Sequence, residues 1–210
     1  MSHVVLLGDS IFDNASYTGG QPAVIDHVRR VLGDGWQSTL LAVDGSTTAD
    51  VQGQLTKMPA DASHLVLSVG GNDAILSSGI LGEKVTTVAE ALGVIAMSGK
   101  AFDRAYLDML DAVVRLGKPT TICTIYYPAF SDPAYQVVTV AGLHAFNDVI
   151  IRAGHTRKLP LIDLRLVCTE ADDYANEIEP SSKGAAKIAQ AIQLALTRGN
   201  FDGSHTTVFY

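Results

Sequence analysis

The sequence predicts a doubly wound α/β fold, a parallel sheet with helices on both faces, and two observations carry that expectation. The first is a set of five short apolar runs: His3 to Leu7, Ser38 to Val43, His64 to Val69, Thr120 to Ile125 and Leu159 to Ile162. Short, nearly continuous apolar runs are the pattern of strands buried on both faces. The second is what separates them. Helical periodicity runs over Pro22 to Leu32, Thr48 to Leu55, Glu83 to Leu116 with a break near Gly99, and Val137 to Arg152, and a last helix over Ser182 to Leu196 closes the pattern. Parallel neighbours need a crossover long enough to hold a helix, so this alternation predicts a three-layer α/β/α sandwich around a five-stranded parallel sheet.

At 210 residues, 47% of them hydrophobic, the chain supplies one sizeable core and reads as one domain. No internal repeat, low-complexity tract or linker divides it. The domain is expected over residues 1–198, and the aperiodic tail 199–210 is expected as a disordered end or a strap over the surface. A formal net charge of -7 with no basic block argues against a nucleic-acid partner. The opening MSHVVLLGDS has no basic leader, and Val4 to Leu7 is far shorter than the ~20 residues of a membrane helix. The expectation is a cytoplasmic protein without a membrane partner, with a homo-oligomer compatible with the sequence. Cys123 and Cys168 sit in or beside apolar runs and are expected as buried free thiols.

Ligands of parallel sheets bind beyond the carboxyl ends of the strands, which narrows the search for chemistry to the residues just after each run. Those residues are Gly8-Asp9-Ser10, Asp44-Gly45 and Gly70-Gly71-Asn72-Asp73. A serine at such a turn exposes its hydroxyl where a nucleophile should sit, although serine is also a routine turn residue. Acyl transfer from a serine also needs N–H donors aimed at the developing oxyanion, and Gly45 and Asn72 could supply a backbone N–H and an amide side chain. Asp-Gly and Asn-Asp are equally ordinary turn dipeptides.

Taken together, Gly8-Asp9-Ser10, a glycine after the second strand, Gly-Gly-Asn-Asp after the third, and Glu179-Pro180-Ser181 before a helix with Gly184 and Ile188-Ala189 resemble the ordered blocks of SGNH (GDSL-type) hydrolases. The resemblance spans almost the entire chain. It implies a flavodoxin-like sheet and a serine-dependent ester hydrolase or acyltransferase, working without a cofactor on a small-molecule ester or acylated substrate. It also implies Ser10 as nucleophile, with the Ser10 N–H, the Gly45 N–H and the Asn72 side chain as oxyanion hole. Asp9 and Asp73 read as short side chains that fix their loops by accepting N–H groups.

The last block departs from the family. Where the resemblance implies an Asp followed three residues later by a His base, this chain has Asn176 and Glu179. A free glutamate has a pKa about two units below histidine, and burial can raise it to about 6 or 7, which restores much of the basicity. Asn176 is then expected as a neutral hydrogen-bond donor to Glu179, while alternation turns Glu177 elsewhere. No other histidine fits: His3 and His64 begin strands, and His27, His144 and His155 lie in or at the ends of helices. Asp202-Gly203-Ser204-His205 has the right spacing but follows the last helix, which carries the chain ~22 Å away at 1.5 Å per residue. Six or seven extended residues reach back about 24 Å, so only a nearly straight path, or a dimer partner's tail, would bring His205 to the site.

The missing histidine admits a pseudo-hydrolase that binds a small ligand, such as a carbohydrate or an acylated metabolite, without turning it over. A weaker reading gathers Asp9, Asp13 and Glu179 around a divalent cation, although no metal is expected. The insert from Ala74 to Gly99 reads as a packed helix pair, with a lid or pocket wall as the alternative, and Tyr126-Tyr127-Pro128 reads as core or as substrate contact.

Overall fold

The computed structural model describes all residues 1–210. Six strands form one parallel sheet in the order β2-β1-β3-β4-β5-β6. They are β1 (Ser2–Gly8), β2 (Trp36–Leu40), β3 (His64–Ser68), β4 (Thr120–Cys123), β5 (Leu161–Ile162) and β6 (Val208–Phe209). The helices are α1 (Val24–Leu32), α2 (Val51–Leu55), α3 (Gly71–Ser77), α4 (Val88–Val114), α5 (Pro133–Arg157), α6 (Leu164–Val167) and α7 (Ser182–Arg198). Side chains alternate across the sheet, and the two faces collect separate cores. Val4 and Leu6 of β1 join Val28 of α1 and Ile188 and Ile192 of α7 in one core. Val5 and Leu7 join Tyr106 and Leu110 of α4 and Ile150 of α5 in the other. Each such side chain, fully withdrawn from water, contributes about 1.5–3 kcal/mol, which is why β1 is apolar on both sides.

The class is the one expected, and the strand count differs by one because of the tail. After α7 the chain returns along the amino edge of the sheet, where Leu161 N–H donates to the Thr207 carbonyl at 2.9 Å, and Asp163 N–H donates to the Phe209 carbonyl at 2.8 Å. The strap is thus a two-residue edge strand, too short to show a pattern in sequence.

Helix α4 is not broken near Gly99. A Cβ there would lie 3.2 Å from Ala145 Cβ of α5, so this glycine lets the two helices approach closely. The amino end of α4 is set by a capping box in which Thr87 Oγ1 accepts Glu90 N–H and the Glu90 carboxylate accepts Thr87 N–H. Helix α5 begins at Pro133 instead of Val137. Asp132 accepts the N–H groups of Ala134 and Tyr135, and proline suits the first helical position.

Because β2 and β3 lie on opposite sides of β1, the connections leaving β1 and β3 diverge, and a crevice opens between their carboxyl ends. The loops that follow β1, β2 and β3 meet there, together with the segment that leads into α7.

Candidate active site

The first loop is fixed by close backbone approach. Gly8 has φ +124°, and a Cβ on it would sit 1.7 Å from the Ser68 carbonyl oxygen, so only glycine lets β1 and β3 stay together at this point. Asp9 N–H donates to that same carbonyl at 3.1 Å. Gln54 of α2 holds the Gly8 peptide from the side, accepting its N–H at 2.8 Å and donating to its carbonyl at 2.7 Å. Asp9 Oδ1 accepts Ile11 N–H at 3.1 Å, which turns the chain and leaves Ser10 at the bend, 7% exposed.

The second and third loops are tied to the first and to each other. Asp44 N–H donates to Asp13 at 3.0 Å, and Tyr17 Oη donates to the Asp44 carboxylate at 2.7 Å. Asn72 Nδ2 donates to the Ser46 carbonyl at 2.9 Å, which leaves one of its two amide N–H groups for another acceptor. Asp73 accepts both the N–H and the hydroxyl of Thr48, at 3.0 and 2.7 Å. Asp9 and Asp73 therefore act on their loops as expected of short acceptors. The Ser10 and Gly45 N–H groups donate to no protein carbonyl.

The fourth segment is a tight loop built on Asp173. This fully buried carboxylate accepts Thr169 N–H, Glu170 N–H and the Lys187 ammonium, and Ser181 N–H donates to its carbonyl. Ser181 caps α7 by accepting the N–H groups of Lys183 and Gly184. Asn176 corrects one expectation. Its Oδ1 accepts the N–H groups of Ile178 and Glu179, so it shapes the loop and donates nothing to the Glu179 carboxylate. Glu177 is exposed, and the carboxylate whose charge acts on Glu179 is Asp44.

These loops bring Ser10 and Glu179 together across 169 residues: Ser10 Oγ donates to Glu179 Oε1 at 3.0 Å, out of solvent. Glu179 is 5% exposed, and its other oxygen, Oε2, has no partner. Burial pushes its pKa up to about 7, the Ser10 hydroxyl pulls down and the Asp44 charge adds to the rise. Asp9 is pushed further, to about 8, by burial first, with the Ile11 N–H opposing and the Glu179 and Asp73 charges adding. Asp9 is therefore a neutral acid near pH 7, while Glu179 is poised between its two forms.

Ser10, Asn72 and Glu179 border one predominantly apolar cavity of about 380 Å³. Its walls include Ile75, Ile80 and Leu81 in and after α3, Ile95 of α4, and Leu143 and Phe146 of α5. The Ala74 to Gly99 segment is thus a pocket wall, the alternative expected for it, and not a packed helix pair: α4 packs on α5 and not on α3. Tyr126 also borders the cavity, with its hydroxyl donating to the Ile178 carbonyl, whereas Tyr127 bonds His144. Gly45 lies on the exposed loop beside Asp44, outside the cavity wall, with its N–H unengaged by any protein carbonyl.

A family model for the GDSL-like lipase/acylhydrolase family matches residues 6–187. The chain belongs to that family. GDSL-like members are carboxylic ester hydrolases, and the enzyme class of this chain follows from its membership. No curated protein matches the chain. Among solved structures, an extracellular lipase from Streptomyces rimosus superposes with a TM-score of 0.63 at 16% identity, covering 89% of this chain and 96% of the other. A phospholipase A1 from Streptomyces albidoflavus NA297 gives 0.62 at 14%, covering 95% and 99%. A carbohydrate acetylesterase from Sinorhizobium meliloti gives 0.61 at 12%, covering 94% and 99%. At these identities the likeness is one of fold, and it agrees with the GDSL-like architecture described above.

The remaining candidates fall away from the GDSL-like site. No three His, Cys, Asp or Glu side chains gather as metal ligands anywhere, and Asp13 is engaged by Asp44 N–H. His205 bonds Asn200 and Ser204 within the tail, beside the amino edge of the sheet and opposite Ser10. Cys123 and Cys168 are buried free thiols that burial pushes upward, Cys168 to about 12. Sequence reasoning missed Gln54, Asn14 and Tyr17. Asn14 is fully buried, and it donates to the Pro180 carbonyl and accepts Val24 N–H, which joins the serine loop to the glutamate loop.

Proposed function

We propose that the chain is a serine-dependent ester hydrolase in which Glu179 serves Ser10 as general base. The observation that carries the reading is the buried 3.0 Å hydrogen bond from Ser10 Oγ to Glu179 Oε1 at the edge of an apolar cavity. A base must reach the proton it removes and have a pKa near the working pH, and Glu179 meets both conditions.

In the first half-reaction Ser10 Oγ bonds the ester carbonyl carbon while its proton passes to Glu179 Oε1. The carbonyl oxygen becomes negative and takes hydrogen bonds from the Ser10 N–H, the Gly45 N–H and the free Asn72 amide N–H. Collapse breaks the bond to the alcohol oxygen, which leaves with the proton from Glu179. Water then attacks the acyl carbon, returns a proton to Glu179, and the acid departs as Ser10 recovers its hydrogen. Glutamate needs no carboxylate behind it to fix a tautomer, so Asn176 is free to shape the loop instead.

The test is fluorophosphonate labelling and p-nitrophenyl butyrate turnover by wild type, Ser10→Ala and Glu179→Gln. Labelling and turnover in wild type, silence in Ser10→Ala and a 10²–10⁴-fold loss in Glu179→Gln are expected, the last from removing a general base. The absence of any histidine at the site favours a second reading, a pocket that binds without turnover. Wild type as inert as Ser10→Ala in both assays would establish that reading and end the first.

A further inference from the structure

We propose that the cavity beside Ser10 holds a straight acyl chain of medium length, and that Gly142 keeps it open. The carbonyl is placed by Ser10 as acyl acceptor, so the assignment of the chain as acyl rests on the function proposed above.

Size comes first. An apolar cavity of about 150 Å³ takes a six-carbon ring, so about 380 Å³ has room for about fifteen non-hydrogen atoms, enough for a chain of roughly six to ten carbons with its ester group and the first atoms of the alcohol. The walls fit such a chain over most of their surface, since Ile75, Ile80, Leu81, Ile95, Leu143 and Phe146 are apolar, while Glu177, the charged wall residue beyond Asp9 and Glu179, is exposed. Ser77, also in the wall, turns its hydroxyl to the Asp73 carbonyl. Each methylene such a surface withdraws from water strengthens binding roughly fourfold.

The assignment to the acyl half follows from the two sides of Ser10. On one side is this apolar cavity. The loop of Asp44 and Gly45, tied to the serine loop by the Asp44 N–H to Asp13, is exposed, carries a carboxylate and takes no part in the cavity wall. The acyl group stays on Ser10 through both half-reactions, whereas the alcohol must leave and water must enter. The apolar side suits the group that stays, and the polar, open side suits the exchange.

Gly142 is the residue that sets the width. It lies inside α5, where glycine is destabilising relative to alanine by roughly 0.5–1 kcal/mol. Gly154, the other glycine of α5, has a packing reason, because a Cβ there would meet Ile122 Cδ1 at 3.0 Å. Gly142 has none: a Cβ would meet only Leu81 Cδ2, at 4.0 Å, which is ordinary contact. Both Gly142 and Leu81 line the cavity, so a longer side chain at 142 would enter the space the substrate uses.

The experiment measures kcat/KM for p-nitrophenyl esters from acetate to palmitate, and for ethyl octanoate against octyl acetate, in wild type, Gly142→Ala and Gly142→Leu. Wild type is expected to peak between hexanoate and decanoate, at least tenfold above acetate, and to prefer ethyl octanoate to octyl acetate at least tenfold. Gly142→Leu should lower the octanoate-to-acetate ratio at least tenfold, with Gly142→Ala between. A peak at acetate, a preference for octyl acetate, or an unchanged ratio in Gly142→Leu overturns the proposal. Binding of 2-butanone and 2-decanone to Ser10→Ala, followed by calorimetry, separates the two readings. Tighter binding of 2-decanone, lost when Gly142→Leu is added, keeps the pocket even where no ester is turned over. Equal or absent binding of both ketones removes the pocket whatever the fate of Ser10.

Discussion

Gln54 holds the Gly8 peptide at both its polar groups, with Oε1 accepting the N–H at 2.8 Å and Nε2 donating to the carbonyl at 2.7 Å. The carbonyl has a second partner in Val43 N–H, but the buried N–H has no other. Gln54→Ala therefore strands one buried donor, at a cost of about 1–3 kcal/mol. For a chain of this size the melting temperature should fall by roughly 2–10 °C, and urea unfolding should show the loss in the midpoint with an unchanged slope. A variant as stable as wild type would show that the clamp contributes nothing.

Glu179 sets the pH dependence of the rate. Its pKa of about 7 means the base form is scarce below neutrality, so kcat/KM should fall about tenfold per pH unit on the acid side and level off above pH 7. In Glu179→Gln the residual rate should lose this acid limb. A limb retained in that variant would assign the titration to another group.

Stability carries the opposite sign. The folded pKa values of Glu179 and Asp9 lie above their ordinary values of 4.5 and 3.8, so the native state holds protons that the unfolded state has released. Their contribution is fully present below those ordinary values and is lost as pH rises through about 7 for Glu179 and about 8 for Asp9. Glu179→Gln removes this penalty and keeps an oxygen for the Ser10 hydroxyl. Its stability relative to wild type should rise between pH 5 and 8, by up to about 3 kcal/mol, and Asp9→Asn should behave in the same direction. Melting temperatures across this pH range check it, and a difference that stays flat with pH would contradict the raised values.

Asn14 couples fold to chemistry. Asn14→Ala leaves Val24 N–H and the Pro180 carbonyl without their buried partner, which costs about 2–4 kcal/mol. Because Pro180 adjoins Glu179, the loss should also loosen the Ser10 to Glu179 contact and lower kcat/KM on the order of tenfold, since small misplacements of reacting groups are costly. Asn14→Asp at pH 5 or below, where a protonated carboxyl can both accept Val24 N–H and donate to the Pro180 carbonyl, should lose less stability. Equal stability losses in the two variants would count against this account.

Much of this was legible in the sequence because the relevant physics is local. Val4 to Leu7 and Leu65 to Leu67 announce strands because both of their faces are buried. Ser10, Asn72 and Glu179 stand out because each belongs to a short block next to a strand end or a helix start. What stayed hidden depends on partners far along the chain. Gly99 reads as a helix breaker until Ala145 is seen against it. Gln54 and Asn14 look like any polar residues until the fold places Gly8 and Pro180 beside them. In the sequence Asn176 stands out for the charge it lacks, whereas its role comes from the two N–H groups that curl back onto it.

The contact of Gly8 with the Ser68 carbonyl has a dynamic consequence. With no room for even a methyl group between β1 and β3, the strand ends that carry Ser10 and Asn72 cannot breathe apart without breaking the sheet. Accommodation of differently shaped substrates then falls to the other half of the site, where the segment after α3 and the first turns of α4 and α5 are exposed, and α4 and α5 join the buried core only farther along their length. Amide protons of the first half should exchange only with global unfolding, and those of the second through local openings.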